Sequence, residues 1–412
     1  MTDVAVVGAG LVGLATARHL TQKGLRVTVI DKEDRPGAHQ SGHNSGVIHS
    51  GLYYRPGSLK AELCRRGRNL LEAFCDAHGV PFSRCGKLVA GWSDRETSKL
   101  DELCRRGLEN GVRCRPMTPD EVQEREPHLA AGARALWVED TGIVDYRRVA
   151  AALAEDLIQM GGTLRLETEL IGADGAQGRC RAHVRHRDGA DAMEAGLVVT
   201  CPGLQSDRVA RACGATVDVR IVPFRGEYGV LKPSAGHLVR GLIYPVPDDR
   251  FPFLGVHLTR TIAGAVECGP NAVLAFAREG YLASQWSWCD LRETLEWPGF
   301  WRLAGRHWWP GMKELWRSSY FPSFVSALRR LVPEIELSDV VPAGAGVRAQ
   351  AISAQGKLLD DFRFEDGPVG VHVLNAPSPA ATSCLAIGEV VARRVLDRLR
   401  PGRADREPWP GD

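Results

Sequence analysis

Three glycines spaced Gly-x-Gly-x-x-Gly follow an apolar run: Val4–Val7 leads into Gly8, Gly10 and Gly13. The chemistry this spacing serves is the cradling of a dinucleotide pyrophosphate. Gly8 permits the tight turn after a strand, Gly10 lets the backbone approach the phosphates, and Gly13 lets the next helix pack closely on the sheet. Leu11 and Val12 open that helix, whose free N–H groups and positive dipole end suit an anion. An acid, Asp31, stands 18 residues after Gly13, close to the spacing at which a carboxylate takes ribose hydroxyls. A carboxylate there favours an unphosphorylated ribose, that of FAD or NAD, over NADP. Lys32 follows at the same strand end.

The elements that must position these residues are legible around them. Thr2–Val7 reads as a buried strand, and Leu11–Lys23 as a helix with Leu14, Ala17 and Leu20 near one face. Gly24 is placed as a C-cap, and Arg26–Ile30 reads as the second strand. Asp34–Tyr54 is polar, glycine-rich and irregular, a kind of stretch that is usually functional inside a compact domain. Ser58–His78 reads as a helix; Ser93-x-x-Glu96 and Thr118-Pro119-Asp120-Glu121 are capping boxes that open two more. Asp145–Met160 is helical, strands follow near Thr163–Glu167, Cys180–Arg187 and Leu197–Cys201, and Cys201-Pro202-Gly203 turns into a helix over Gln205–Cys213. Val217–Gly269 is punctuated by proline and glycine and predicts a largely antiparallel sheet. The chain then becomes helical over Ala283–Ser326 and returns to α/β with a strand at Val369–Leu374 and a helix at Ser383–Leu399.

Composition narrows the class. A chain of 412 residues, 44% apolar, can bury a large core and predicts two domains, or one with a large insertion. A net charge of +2 calls for no nucleic acid. The eleven cysteines are scattered, with no Cys-x-x-Cys, and several (Cys64, Cys75, Cys104, Cys201) fall in helical or strand patterns. That use points to a reduced compartment and argues against a metal site. Residues 4–17 mimic a signal-peptide core, but Asp3 replaces the basic start and the glycines keep nucleotide spacing. No run is long enough to span a membrane. The expectation is a cytoplasmic protein, soluble or peripheral on the inner face of the cell membrane.

The nucleotide-binding elements are split along the chain. The predicted fold is α/β, α+β overall: a discontinuous Rossmann-like domain from residues 1–80, 145–215 and 340–399, and a β-rich substrate domain from 81–144 and 216–339. Residues 400–412 are left as a flexible tail. A simple NAD dehydrogenase has no need of such a C-terminal return, so FAD is favoured.

Longer blocks are more specific than the glycine motif. They are His43–Tyr54 with Pro56–Ala61, Phe224–Tyr228, Ile243–Asp248, Phe251–Thr259, Gly269–Val273, Gly346–Gln350 and Asn375–Ser383. On these blocks the chain, over about residues 1–399, resembles the FAD-dependent D-amino-acid-oxidase-like superfamily and, within it, the L-2-hydroxyglutarate-oxidising family. The resemblance implies FAD, oxidation of L-2-hydroxyglutarate to 2-oxoglutarate, and electrons passed to a membrane quinone or other acceptor, poorly to oxygen. These blocks contain no cysteine, Cys384 directly following the last of them, so noncovalent FAD is expected. Asp31 departs from the Glu common in the superfamily but keeps its two acceptor oxygens.

Oxidising a 2-hydroxy acid needs a cation to hold the C1 carboxylate so that C2–H points at flavin N5. It also needs a base for the hydroxyl proton, and donors that stabilise the reduced flavin. The superfamily lays the His43–Tyr54 loop along pyrophosphate and flavin, which makes His43, Asn44, Ser45, Gly46 and Val47 cofactor contacts and His49 a candidate base. His257 is a second candidate, with Tyr244 and Arg260 on the same β-rich domain. Arg348, just after Gly346, sits where relatives place a substrate-binding arginine, and its planar fork suits a carboxylate. For the far carboxylate of a five-carbon diacid, Arg225, Arg260 and Lys232 compete and the sequence does not choose. Gly203 belongs to the cofactor turn. Pro379, Ala380, Ala381, Thr382 and Ser383 open the C-terminal helix, whose N–H groups could face the flavin.

Seven of the ten tryptophans lie between Trp286 and Trp316, among Arg292, Arg302, Arg306, Lys313 and Arg317. Such a mixture suits either the aromatic core of a helical cap or a membrane interface. Two other functions remain open from the sequence. One is oxidation of an amine, amino acid or glycerol-3-phosphate on the same fold. The other is a non-catalytic flavin electron carrier.

Overall fold

The computed structural model describes residues 2–176, 178–247, 255–269, 273–282, 284–306 and 321–399. Strand β1 (Thr2–Val7) lies inside an eight-stranded sheet, parallel to β2 (Val27–Ile30) on one side and to Gly189–Thr200 on the other. Thr163–Arg165 extends the parallel part beyond β2, and Gly370–Asn375 runs alongside Val198–Thr200. The two-residue alternation of a strand divides β1 between two cores. Val4 and Val6 face one made with the helices, and Ala5 and Val7 face another that includes Leu170, Ala182 and Val198.

The helical layer packs with little room. Helix α1 (Leu11–Gln22) lies against the C-terminal helix Ala380–Leu399, where a Cβ on Gly388 would stand 2.8 Å from the Ala15 backbone. Gly67, on the helix Leu59–Ala77, meets the Ser383 backbone as closely, at 2.5 Å. The C-terminal return expected from the sequence is therefore wedged between two earlier helices. Helix starts also fall as expected: Ser58 and Asp145 cap their helices, and both capping boxes, Ser93–Glu96 and Thr118–Glu121, are formed.

A second sheet has nine strands and is antiparallel except where Leu242–Pro245 runs parallel to Lys87–Gly91. Its long ladder joins Val219–Leu231 to Val340–Ser353. Here the structure corrects the sequence: residues 340–353, grouped with the nucleotide domain, are a strand of the second sheet. Their pairing partner lies more than a hundred residues earlier, which no local pattern encodes. The antiparallel meander Thr168–Ala176, Arg179–His186 and Gly189–Thr200 is also larger than predicted. Its outer half is polar and exposed, so it lacks the apolar alternation that marks a strand.

The tryptophan-rich segment is helical over Trp288–Glu296 and residues 298–306. Trp286, Trp288 and Trp301 are 58%, 70% and 58% exposed, whereas Trp297 is half-buried and donates from Nε1 to the Ile352 carbonyl at 3.0 Å. Trp308, Trp309, Trp316, Lys313, Arg317 and the 400–412 tail lie outside the described residues. No helix among the described residues is long and apolar enough to cross a membrane.

Candidate active site

One cavity of about 990 Å³ is lined by residues of both large sheets and reaches from the glycine turn to Arg348. That is the upper end of ordinary ligand pockets, as a dinucleotide requires.

At the glycine end the fit is set by missing side chains. Gly8 has φ +105°, and a Cβ there would lie 2.5 Å from the Cys201 carbonyl oxygen; one on Gly10 would crowd Ser41 Oγ at 3.1 Å. Gly13 does not line the cavity: its Cβ would overlap the Gly8 carbonyl, so its part is the strand–helix contact. Leu11 and Val12 line the wall, and the N-cap Gly10 brings no side chain to the helix start. Asp31 is fixed by two backbone donors, Ala9 N–H to Oδ2 at 2.6 Å and Glu33 N–H to Oδ1 at 2.9 Å. Its spare lone pairs remain at the cavity, next to Lys32, whose Nζ bridges Glu33 and Glu279 at 2.8 and 2.6 Å. His43, Asn44, Ser45, Val47 and Gly203 line the wall as well.

Besides Gly13, three expected cofactor residues do not reach the wall. Gly46 adopts φ +67° beneath the loop, against the Val144 carbonyl. Thr382 is buried, where its Oγ1 accepts from the His49 N–H at 3.0 Å and meets Tyr146 Oη at 3.0 Å. Ser383 is buried at the Gly67 crossing. Each supports the wall from behind. Pro379, Ala380 and Ala381 do line it, at the first turn of the C-terminal helix.

Several wall residues were missed. Ser41 Oγ accepts from the Leu11 N–H at 3.0 Å, taking one donor of the helix start. Glu169, Leu170, Ile171 and Arg208 form the wall beyond Asp31. They belong to the unpredicted strand Thr168–Ala176 and to the helix Ser206–Ala212, so no motif marked them.

The far end gathers His49, Tyr53, Tyr54, Tyr228, Tyr244, His257 and Arg348. Gly346 allows His43 and Tyr228 to close in; a Cβ there would stand 2.8 Å from the His43 carbonyl oxygen. His257 shares its Nδ1 with the Gly255 carbonyl at 2.8 Å and tilts against the Tyr244 ring, centroids 4.3 Å apart. Burial pushes the His257 pKa down to about 4, with Arg348 and Lys87 adding to the fall. His49 is pushed down to about 3, chiefly by burial and then by Lys87; its Nε2 lies 3.4 Å from Ser378 Oγ. Both imidazoles are therefore neutral at pH 7. Burial also lowers the Arg348 pKa, opposed by Tyr228 and Tyr244, yet a guanidinium stays charged in proteins.

Arg260 does not belong to this end, contrary to the sequence expectation. It is absent from the cavity wall, and its guanidinium donates to the carbonyls of Val239 and Gly236 at 3.0 and 3.5 Å.

A glycine-cradled dinucleotide channel ending in a buried arginine and neutral histidines, framed by a mixed sheet and a mainly antiparallel one, suits a flavoprotein oxidoreductase. The sequence profile of the family described as FAD dependent oxidoreductase (DAO) matches residues 3–394, and the chain belongs to that family. Its similarity runs to proteins named L-2-hydroxyglutarate dehydrogenase. It is 46% identical to that of Indibacter alkaliphilus over 96% of this chain and 99% of the relative. It is 41% identical to that of Escherichia coli K12 over 98% and 97%, and 42% identical to the human mitochondrial protein over 96% and 89%. Among solved structures, FAD-bound L-α-glycerophosphate oxidase of Mycoplasma pneumoniae superposes with a TM-score of 0.79 at 21% identity, covering 100% of this chain and 97% of that one. Glycine oxidase of Geobacillus kaustophilus superposes at 0.72 with 19% identity, covering 98% and 97%. These two likenesses establish the fold alone.

Proposed function

We propose that the chain oxidises L-2-hydroxyglutarate to 2-oxoglutarate. The observation that carries this reading is the continuity of the cavity, which joins the glycine cradle to the Arg348 end without a break. Identity of 41–46% to L-2-hydroxyglutarate dehydrogenases over nearly the whole chain supports the choice of substrate.

Bound FAD supplies the two-electron acceptor; the remaining work falls to side chains. Arg348 holds the C1 carboxylate with its planar fork. His257 is the base: donation from Nδ1–H to Gly255 fixes the tautomer and leaves Nε2 to accept the hydroxyl proton. Tyr244 holds the imidazole plane, and His49 contributes to the cavity wall beside Ser378. Anaerobic titration of the yellow protein with L-2-hydroxyglutarate should bleach the flavin band, while the D enantiomer and D-amino acids leave it unchanged. A flavin band that persists with the L enantiomer refutes the substrate. Bleaching by an amine or by glycerol-3-phosphate instead would select the alternative reaction.

The electrons are proposed to leave to a membrane quinone, with the tryptophan-rich segment docked on the bilayer surface. The exposure of Trp286, Trp288 and Trp301, with Leu295 exposed in the same segment and Phe276 and Leu282 just before it, supports this, since tryptophan favours the membrane–water interface. Flotation with anionic liposomes should carry the protein upward and lose it on replacing the three tryptophans by serine. Protein left at the bottom in both cases refutes docking.

A further inference from the structure

Lys87 was singled out by no sequence motif, yet it is among the largest fully buried side chains, 1% exposed, on the strand Lys87–Gly91. Its Nζ lies 4.4 Å from the centre of the Tyr53 ring and 4.8 Å from that of Tyr244. Among the described residues it has no carboxylate in ion-pair distance and no hydrogen-bond acceptor; burial pushes its pKa down to about 7, and the one group that opposes the fall is the Cys64 thiol. Glu267, whose charge acts on Tyr244 through space, is itself pushed up in pKa by burial. A buried ammonium without a counter-anion is unfavourable unless an anion arrives to meet it.

A second unfilled group stands at the same place. The Tyr53 hydroxyl is buried with no hydrogen-bond partner among the described residues, and Tyr53 and Tyr244 both line the cavity. The cations weighed from the sequence for a second carboxylate, and Lys60 on the cavity wall, do not offer a buried free charge. Arg225 donates to Glu227 at 2.7 Å, Lys60 to Asp360 at 2.9 Å and Arg260 to backbone carbonyls, while Lys232 is exposed. A dianionic diacid brings two charges, and Arg348 answers one.

We propose that Lys87 determines specificity for a dicarboxylate: its ammonium draws the far carboxylate to the Tyr53–Tyr244 wall, where the Tyr53 hydroxyl donates to it, while Arg348 holds the first. This rests on the reading of the site as one for a 2-hydroxy acid. Lys87 is a positioning residue that acts through its field across the two rings. Cation–ring contacts keep the ammonium in place before substrate arrives.

The test uses two acids that cannot be oxidised, glutarate and pentanoate, which share a five-carbon chain and differ by one carboxylate. Their dissociation constants are read from the shift of the visible flavin band of the FAD-loaded protein. Wild type should bind glutarate at least tenfold more tightly than pentanoate. Lys87→Met should weaken glutarate at least tenfold and pentanoate less than threefold, and Lys87→Arg should keep the preference. Equal binding of both acids by wild type, or an equal loss for both in Lys87→Met, overturns the proposal. If Lys87→Met does not load FAD, Lys87→Gln, neutral but polar, takes its place with the same expected loss for glutarate alone and the same refuting result. Retained glutarate preference in a wild type that leaves L-2-hydroxyglutarate unoxidised would strike at the proposed reaction and leave the role of Lys87 standing.

Discussion

Gly269→Ala tests His257 without touching it. A Cβ at position 269 would stand 2.1 Å from His257 Nε2 and 2.4 Å from both Cδ2 and Cε1. Ordinary contact begins at 3.4 Å, so the ring must retreat by about 1.3 Å. It cannot do so freely: Nδ1 is tied to Gly255 at 2.8 Å and the face rests on Tyr244. Gly269 is not among the glycines with positive φ, so the alanine brings no backbone strain and its effect is steric. A misplacement of about 1 Å in a catalytic group costs on the order of 100-fold in rate. Breaking the hydrogen bond and the ring contact costs roughly 2 kcal/mol of stability. The assay is kcat/KM for L-2-hydroxyglutarate at matched FAD content, with His257→Ala and the double variant completing a cycle. Gly269→Ala should lose about 100-fold in kcat/KM and load FAD normally, and in the His257→Ala background it should change the rate less than about threefold. Wild-type kcat/KM in Gly269→Ala would refute the reasoning. So would full additivity in the cycle, which would show that the alanine acts on something other than the imidazole.

Four other outcomes are expected. Because His257 must be neutral to accept a proton and its pKa lies near 4, kcat/KM should be lost only as pH falls through about 4; a midpoint at the ordinary histidine value near 6.5 in the pH–rate profile would contradict the burial of the base. Arg348→Lys keeps a charge but loses the fork, and should reduce kcat/KM by roughly 100-fold in steady-state assays, whereas an unchanged value would remove Arg348 from substrate binding. Gly8→Ala places a Cβ 2.5 Å from the Cys201 carbonyl oxygen at φ +105°, and the purified protein should be colourless, as visible absorbance would show. Asp207, fully buried, pairs with Arg278, itself 1% exposed; Asp207→Asn should destabilise by about 3–5 kcal/mol in denaturant unfolding, as expected when one partner of a buried ion pair is removed.

The tryptophan segment joins the nucleotide-binding half through that same cluster. Glu293, on the helix Trp288–Glu296, accepts from Arg278 and Arg208 at 3.0 Å, and Arg208 also lines the cavity. The exposed aromatic face is thus held in a fixed place by charge pairs that include a residue of the cofactor wall.

What the sequence determined by itself was local. The glycine turn, Asp31 at the end of β2, the helix starts at Ser58, Ser93, Thr118 and Asp145, and the C-terminal helix are set by spacing, capping chemistry and periodicity within a few turns of chain. Each is found where those patterns put it, except that the C-terminal helix starts three residues earlier, at Ala380 rather than Ser383. What only the tertiary structure decided was which distant residues meet. The strand Val340–Ser353 pairs across the chain with Val219–Leu231, so Arg348 comes to the cavity from a sheet that its neighbours in sequence do not reveal. Arg260, chemically as suitable as Arg348, points to backbone carbonyls instead. Lys87, in a strand with no motif, ends beside Tyr53 and Tyr244. A side chain's type is written in the sequence, but its desolvation and its partners depend on non-local packing, and those two quantities separate a buried charge awaiting a ligand from one already satisfied.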